Sequence, residues 1–354
     1  MKRKCCLNLA AMTVITAMTA CLTVGALSGC KKKTEEITVY MPDGAPALAL
    51  AGMMQSDTAE DGVSFHVVKS EEISTVVSYE DEAKNADFCV LPVTAASTLL
   101  GDGERYKLAA VVTHGNLYMI AKSETGLDGV LEDADDLAAL LGKRGGVLQM
   151  NAVPGLTLKT VFTKAGVAYS EWKNGEDVRS DVVNLKGIAD IAAEDGSLDC
   201  YLVAEPAASA QVKKNGYKIV GDLQKLYGAD ESGNFGYPQA VLVAKTELLS
   251  QSSKSGDFSV KEFLADVEAS TKWVVTASGE DIVAAVSAHM DDPAKETALK
   301  APLLTAEVVA RCGVRYASAE SCKDKVKSFL EEMKTVSAKT VVPADDFFWS
   351  GDIK

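Results

Sequence analysis

The sequence predicts an α/β fold of mostly parallel sheets flanked by helices, and three observations predict it. Short apolar runs of strand length alternate with helical stretches along most of the chain. At four places a strand-like run passes into a helix through small residues and proline. Hydrophobic residues make up 47% of the 354, too many for a disordered chain and enough for two lobes with separate cores.

Ile37-Thr38-Val39-Tyr40 is the first strand, and the turn through Pro46 leads into an apolar helix from Ala47 to Met54. Pro46 suits a first helical position, where its missing N–H leaves no bond unmade. Val63–Val68 is a second strand, 71–84 a polar helix, and Ala86–Val93 a third strand. Thr94 stands near the N-cap of the next helix, which runs to Leu100. Leu108–Val112 and Leu117–Ala121 are strands split by His114-Gly115-Asn116. Further strands lie at 146–150, 182–185, 201–204, 217–220 and 240–244. Between them come helices at 133–141, from Val153 to Gly166, at 188–194 and at 206–214, with Gly216 just past the last. From Lys261 onward the spaced apolar positions read as helices only, at Lys261–Thr271, Glu280–His289, Ala306–Arg311 and Lys323–Thr335.

The N-terminus carries a different message. Lys2, Arg3 and Lys4 head an uncharged apolar stretch that ends in Leu27-Ser28-Gly29-Cys30. This resembles a bacterial lipoprotein signal. The resemblance implies cleavage before Cys30, lipid on its sulfur, and an extracytoplasmic protein anchored to the bacterial cell membrane. The stretch is also long enough for an uncleaved membrane span, but the Leu-Ser-Gly-Cys ending argues against one. Residues 30–36 read as a polar tether whose lysines can rest on anionic headgroups. Removing 29 of the 354 residues leaves 325, with 33 basic against 50 acidic side chains and a net charge of −17. Such a chain is disfavoured as a nucleic-acid binder.

Of eight cysteines, Cys5, Cys6 and Cys21 lie in the leader. Cys89 and Cys200 sit in apolar runs and are expected to be buried as small hydrophobes. Cys312 and Cys322, ten residues apart, either pair or stay free in an exported protein. His66, His114 and His289 have no zinc-like spacing, so neither metal nor cofactor is expected.

The strand-to-helix turns are Asp43-Gly44-Ala45-Pro46, Leu91-Pro92-Val93-Thr94-Ala95-Ala96, Asn151-Ala152-Val153-Pro154-Gly155-Leu156-Thr157 and Val203-Ala204-Glu205-Pro206-Ala207. Ligands of open α/β sheets bind beyond the carboxyl ends of strands, where helix N-termini offer free N–H groups. These turns, with Ile37 to Leu48, Ala86-Asp87-Phe88-Cys89-Val90-Leu91-Pro92 and Gly196-Ser197-Leu198-Asp199-Cys200-Tyr201-Leu202-Val203-Ala204-Glu205-Pro206, resemble the type II periplasmic-binding family of the nitrate, sulfonate and thiamine-precursor kind. The resemblance covers nearly all of the chain after the leader. It implies a two-lobe type II periplasmic-binding-protein fold with two crossing hinge strands, Tyr118-Met119-Ile120-Ala121-Lys122 and Ala240-Val241-Leu242-Val243-Ala244-Lys245. Lobe one is then 37–118 plus 243–354, and lobe two 119–242.

The resemblance places Gly44, Ala45, Pro46, Thr94 and Ala95 on the ligand side of lobe one, and Asn151, Gly155, Leu156 and Thr157 on that of lobe two. The alternative reading is that Gly44 and Pro46 only shape their turn and that Thr94 only caps its helix. Asn116 precedes the first crossing and can point into the cleft. Glu205 is either a ligand contact or a cap for the following helix. Phe235 and Tyr237 either stack on a ligand ring or fill the hinge. No arginine stands in these turns, which disfavours a bidentate carboxylate clamp, while Glu205 would oppose an anion.

The function implied is a solute-binding lipoprotein that traps a small molecule by hinge closure and delivers it to the permease and ATPase of an ABC importer, acting as a monomer. The alternatives are an enzyme on the same fold acting on a pyrimidine-like molecule, since relatives of the family include a pyrimidine synthase, and a passive sensory module. An enzyme would need reactive His and Cys side chains gathered in the cleft.

Overall fold

Twelve strands form two sheets: β1 (Ile37–Pro42), β2 (Val63–Val68), β3 (Phe88–Pro92), β4 (Tyr106–His114), β5 (Leu117–Ala121), β6 (Arg144–Leu148), β7 (Tyr169–Glu171), β8 (Val183–Ile188), β9 (Cys200–Ala204), β10 (Lys218–Asp222), β11 (Pro238–Lys245) and β12 (Val314–Ser318). One sheet has the order β12-β4-β11-β3-β1-β2 and the other β10-β5-β9-β6-β8-β7. They come from a computed structural model that describes residues 36–56, 62–78, 86–194, 196–229, 236–250 and 258–351. The leader, Cys30, most of the tether, Phe235 and the end of the helix expected at 71–84 lie outside the described residues.

The helices are α1 (Ala45–Leu48), α2 (Ala51–Ser56), α3 (Val93–Leu100), α4 (Val153–Lys164), α5 (Ala207–Asn215), α6 (Leu223–Tyr227), α7 (Thr246–Leu249), α8 (Val260–Thr276), α9 (Gly279–Ala288), α10 (Ala306–Arg311) and α11 (Ala319–Val336). Side chains of Ser259, Ser278, Thr305 and Ser318 accept a backbone N–H at the starts of α8, α9, α10 and α11.

This is the α/β two-lobe fold, one sheet per lobe, but the sheets are mixed. β1–β2, β1–β3, β6–β8, β6–β9 and β7–β8 pair in parallel. The strands that carry the chain between lobes run against their neighbours: β4 and β11 are antiparallel to each other, β11 to β3, and β5 to β9 and β10. A crossing strand enters its sheet from the opposite end, so it cannot join by a parallel β-α-β step.

Three buried clusters form the core, and one of them joins the lobes. One fills the side of the lobe-one sheet away from α10, and a second lies on the other side, among α1, α2, α8 and α9, around Val39, Met41, Val90 and Val267. A third is confined to lobe two around Tyr118, Ile120, Tyr201 and Tyr217. The first continues through both lobes, joining Leu91 and Val111 to Leu158 and Phe162 by way of Phe329, Leu330 and Met333 of α11.

Several local expectations change. β12 falls in the stretch read as helix only. It is an edge strand with only Val314 buried, so it carries little apolar alternation. The helix expected at 133–141 is a 3₁₀ segment, Asp135–Leu140. Asp133 and Asp136 turn their carboxylates onto nearby backbone N–H groups, a capping box that satisfies the open donors where this short segment begins. Ile188 closes β8 and does not open a helix. Cys312 and Cys322 are free and buried on opposite faces of the lobe-one sheet, which is why their spacing does not become a disulfide.

His114 ends β4 and is 8% exposed. Burial, with the positive Arg315 and Lys325 nearby, pushes its pKa down to about 3. The folded chain therefore holds it neutral while the unfolded chain takes up a proton below its ordinary pKa. Its contribution is complete above that value and is lost as pH falls toward about 3. Unfolding followed from about pH 7 to about pH 4 should show a slope that His114→Asn flattens, by at most roughly 1.4 kcal/mol per pH unit.

Candidate ligand-binding cleft

Strand register shows which ends meet. β4 and β5 are joined only by Gly115-Asn116. Ala204 at the end of β9 pairs with Leu117, and Leu202 with Val147 of β6, so β6 and β9 point their carboxyl ends toward the crossing. Pro92 at the end of β3 pairs with Ala240 near the start of β11, and β1 runs parallel to β3. The turns after β1 and β3 therefore face the turns after β6 and β9.

In the first turn Gly44 has φ 101° and ψ −148°, a region open to glycine alone. The Asp43 carboxylate is committed to structure. It accepts the Gly44 N–H at 2.8 Å, the Thr297 hydroxyl at 2.5 Å and the Ala298 N–H at 2.7 Å. Gly44 and Pro46 stay half-buried, and Ala45 is buried. In the second turn the N-cap position belongs to Pro92, so Thr94 is not the cap. Thr94 and Ala95 lie half-buried within the first turn of α3.

In the third turn Asn151 is exposed at the open start of α4, which has no side-chain cap. Gln149, marked by no sequence pattern, is exposed beside it with φ 55°, a strained setting for a residue other than glycine. Three neighbours face inward instead. Gly155 presses on the Met150 carbonyl, where a Cβ would stand 2.1 Å from the oxygen. The Thr157 hydroxyl is buried and donates to the Val153 carbonyl at 2.7 Å. Leu156 packs, partly buried, on the continuous core.

The fourth turn does not offer Glu205 as a ligand contact. Its side chain is 0% exposed. Its Oε1 accepts from Nε of Arg311 at 2.7 Å and from Ser209 Oγ at 2.8 Å, and its Oε2 accepts the Ser209 N–H at 3.0 Å. Arg311 also donates to Ser209 Oγ at 2.8 Å and pairs with Glu307. The cap reading of Glu205 thus describes half of its role, and the other half is an ion pair with an arginine from the distant C-terminal region. No local pattern marks Arg311, because its partner is 106 positions away.

At the crossing, Asn116 is held by its backbone and amide. Its N–H donates to Gln239 Oε1 at 2.9 Å, and its Nδ2 to the Glu205 carbonyl at 3.2 Å. Its Oδ1 is buried with no hydrogen-bond partner among the described residues. Tyr237 is 0% exposed: its ring stacks on Phe329 at 5.5 Å and meets Tyr227 edge-on at 5.6 Å. It fills the hinge and offers no face to a ligand.

The four described thiols are buried, and burial pushes Cys200 up to about 12 and Cys322 up to about 11, so neither is poised as a thiolate. Among the described residues no three His, Cys, Asp or Glu side chains are grouped to hold a metal, and no helix is long and apolar enough to cross a membrane.

Two six-stranded lobes whose strand ends face each other beside a double crossing define the periplasmic-binding-protein fold. Solved structures share it. A protein from Parabacteroides distasonis described as an ABC transporter superposes with a TM-score of 0.66 at 19% identity, covering 90% of this chain and 100% of that one. The periplasmic aliphatic sulphonate-binding protein of Escherichia coli gives 0.60 at 13% identity over 89% and 92% of the two chains. The alkanesulfonate-binding protein of Xanthomonas axonopodis pv. citri, bound to MOPS, gives 0.55 at 11% over 89% and 98%. No family model and no curated protein matches the chain.

Proposed function

We propose that this chain is an exported, lipid-anchored receptor that captures a small molecule between its lobes by hinge closure and passes it to the permease and ATPase of an ABC importer. The observation that carries this reading is the facing of four strand-to-helix turns across a double crossing, in a fold shared with binding components of ABC transporters. The Leu27-Ser28-Gly29-Cys30 ending supports export and lipid on Cys30. Contacts to ligand come from Gly44, Ala45, Pro46, Thr94, Ala95, Gln149 and Asn151, with the spare Asn116 Oδ1 at the floor.

The charge of the ligand follows from the cleft floor. Arg311 is shared between Glu205 and Glu307, and it is not a free anion clamp. Glu205 is buried against Arg311, and the Glu205–Arg311–Glu307 group carries one net negative charge, most of it on the exposed Glu307. A neutral polar molecule, or an anion held by backbone N–H groups, fits better than a clamped amino acid.

A thermal-shift screen of small sulfonates, carboxylates, pyrimidines and vitamins tests this. A true ligand at a hundredfold excess over Kd adds about 2.7 kcal/mol and raises Tm by several degrees. Chemical turnover of the hit would replace the receptor reading with an enzyme. In cells, Cys30→Ala should move the protein out of the membrane fraction, and retention there would refute the anchor.

A further inference from the structure

The two flanks of the crossing are built from different chemistry. On the α11 flank one apolar core runs without a break from lobe to lobe, through Phe329, Leu330 and Met333 on one side and Leu158, Val161 and Phe162 on the other. On the opposite flank the apolar clusters of the lobes stay separate. There α10 and the 3₁₀ turn before it in lobe one meet α5 and the Glu205 turn before it in lobe two through polar groups: Arg311 on Glu205 and Ser209, and Lys213 Nζ on the Pro302 carbonyl at 3.3 Å. Tyr118 OH donates to the Arg311 carbonyl at 3.2 Å beside them. Ser209 and Lys213 are four residues apart on α5, about 6 Å along the helix, so this contact extends away from the crossing and is not confined to it.

Parting an apolar core exposes its surface to water at a cost that grows with area. Parting charged and hydrogen-bonding groups exchanges them for water with a small net change. We infer that the α11 flank is the pivot between the lobes and that Arg311 is a reversible latch on the other flank, made when the lobes are together and broken when they separate. Arg311 then sets the balance between closed and open forms, and through it the apparent affinity for whatever the cleft holds. The inference rests on the receptor reading for its purpose, but its mechanics can be tested without a ligand.

The four described thiols are buried, so with Cys30 replaced by serine the introduced surface cysteines are the reactive ones. Spin labels at Asn215→Cys on α5 and Glu296→Cys on lobe one, both exposed, report the distance across the polar flank in the full chain after its leader. The parent should give mainly the short distance. Arg311→Gln should raise the population of a longer one roughly tenfold, the scale of one charge-assisted contact. Added salt should lengthen the parent distance and leave Arg311→Gln/Glu205→Gln unmoved. The double variant also covers the case in which the single variant fails to fold because Glu205 is left buried without its partner. If neither variant nor salt changes the distance distribution, Arg311 is no latch. Absence of any ligand in the thermal screen would sink the receptor reading and leave the distance result standing.

Discussion

Replacing Gly115 by alanine is expected to be strongly destabilising. A Cβ at this position would stand 2.0 Å from Cζ, 2.3 Å from the hydroxyl oxygen and 2.4 Å from Cε2 of Tyr237. The ring cannot swing aside. It is fully buried, stacked on Phe329 and edge-on to Tyr227, and its backbone is tied to Gly115 and to Gln224. Overpacking of a core usually costs about 1–3 kcal/mol, and here the displaced group is a large ring beneath both crossings. Loss of about 3 kcal/mol or more is expected, lowering Tm by roughly 4 °C or more. Denaturant unfolding of Gly115→Ala checks the size. Tyr237→Leu in the same chain should restore part of the loss, because it removes the atoms that collide. A Gly115→Ala protein as stable as its parent would mean that Tyr237 does not fill the hinge in solution.

That collision also shows where sequence reasoning reaches its limit. The α/β alternation was legible because strands buried in a sheet interior carry apolar runs whatever surrounds them, as at Phe88–Pro92 and Cys200–Ala204. The strand-to-helix turns were legible through Gly44, Pro46 and Pro154, whose backbone needs are local. The roles of Tyr237 and Glu205 were not, because each depends on partners remote in sequence: Phe329 for one and Arg311 for the other. An aromatic residue before a strand reads the same whether its ring faces a ligand or a core. Cys312 and Cys322 show the same limit, since ten residues of spacing say nothing about which face of a sheet each will occupy. Of the residues that line the facing turns, those set by backbone shape were readable. Gln149 and Arg311, set by tertiary placement, were not.

Gly155→Ala should strike stability and binding together, and a neighbouring change should separate them. The added Cβ would lie 2.1 Å from the carbonyl oxygen, 2.5 Å from the carbonyl carbon and 2.6 Å from the Cα of Met150. All three are backbone atoms, so no side-chain rotation relieves the contact, and either α4 or the turn before it must move by more than an ångström. That turn is braced by the Ala152 N–H on the Gln149 carbonyl at 2.9 Å, and its Met150 side chain is buried. A cost of about 2–3 kcal/mol is expected, with Gln149 and Asn151 carried out of position. For a ligand found in the thermal screen, affinity should fall by about tenfold or more, as expected when a binding group is displaced by an ångström. Asn151→Ala is exposed and should leave Tm within about 1 °C of the parent, as surface changes usually do, while still weakening the ligand. Equal affinity in Asn151→Ala and the parent would take the third turn out of the binding site. Unchanged affinity in Gly155→Ala at reduced Tm would assign Gly155 to packing alone, and the ligand would then have to be held from lobe one and the floor at Asn116.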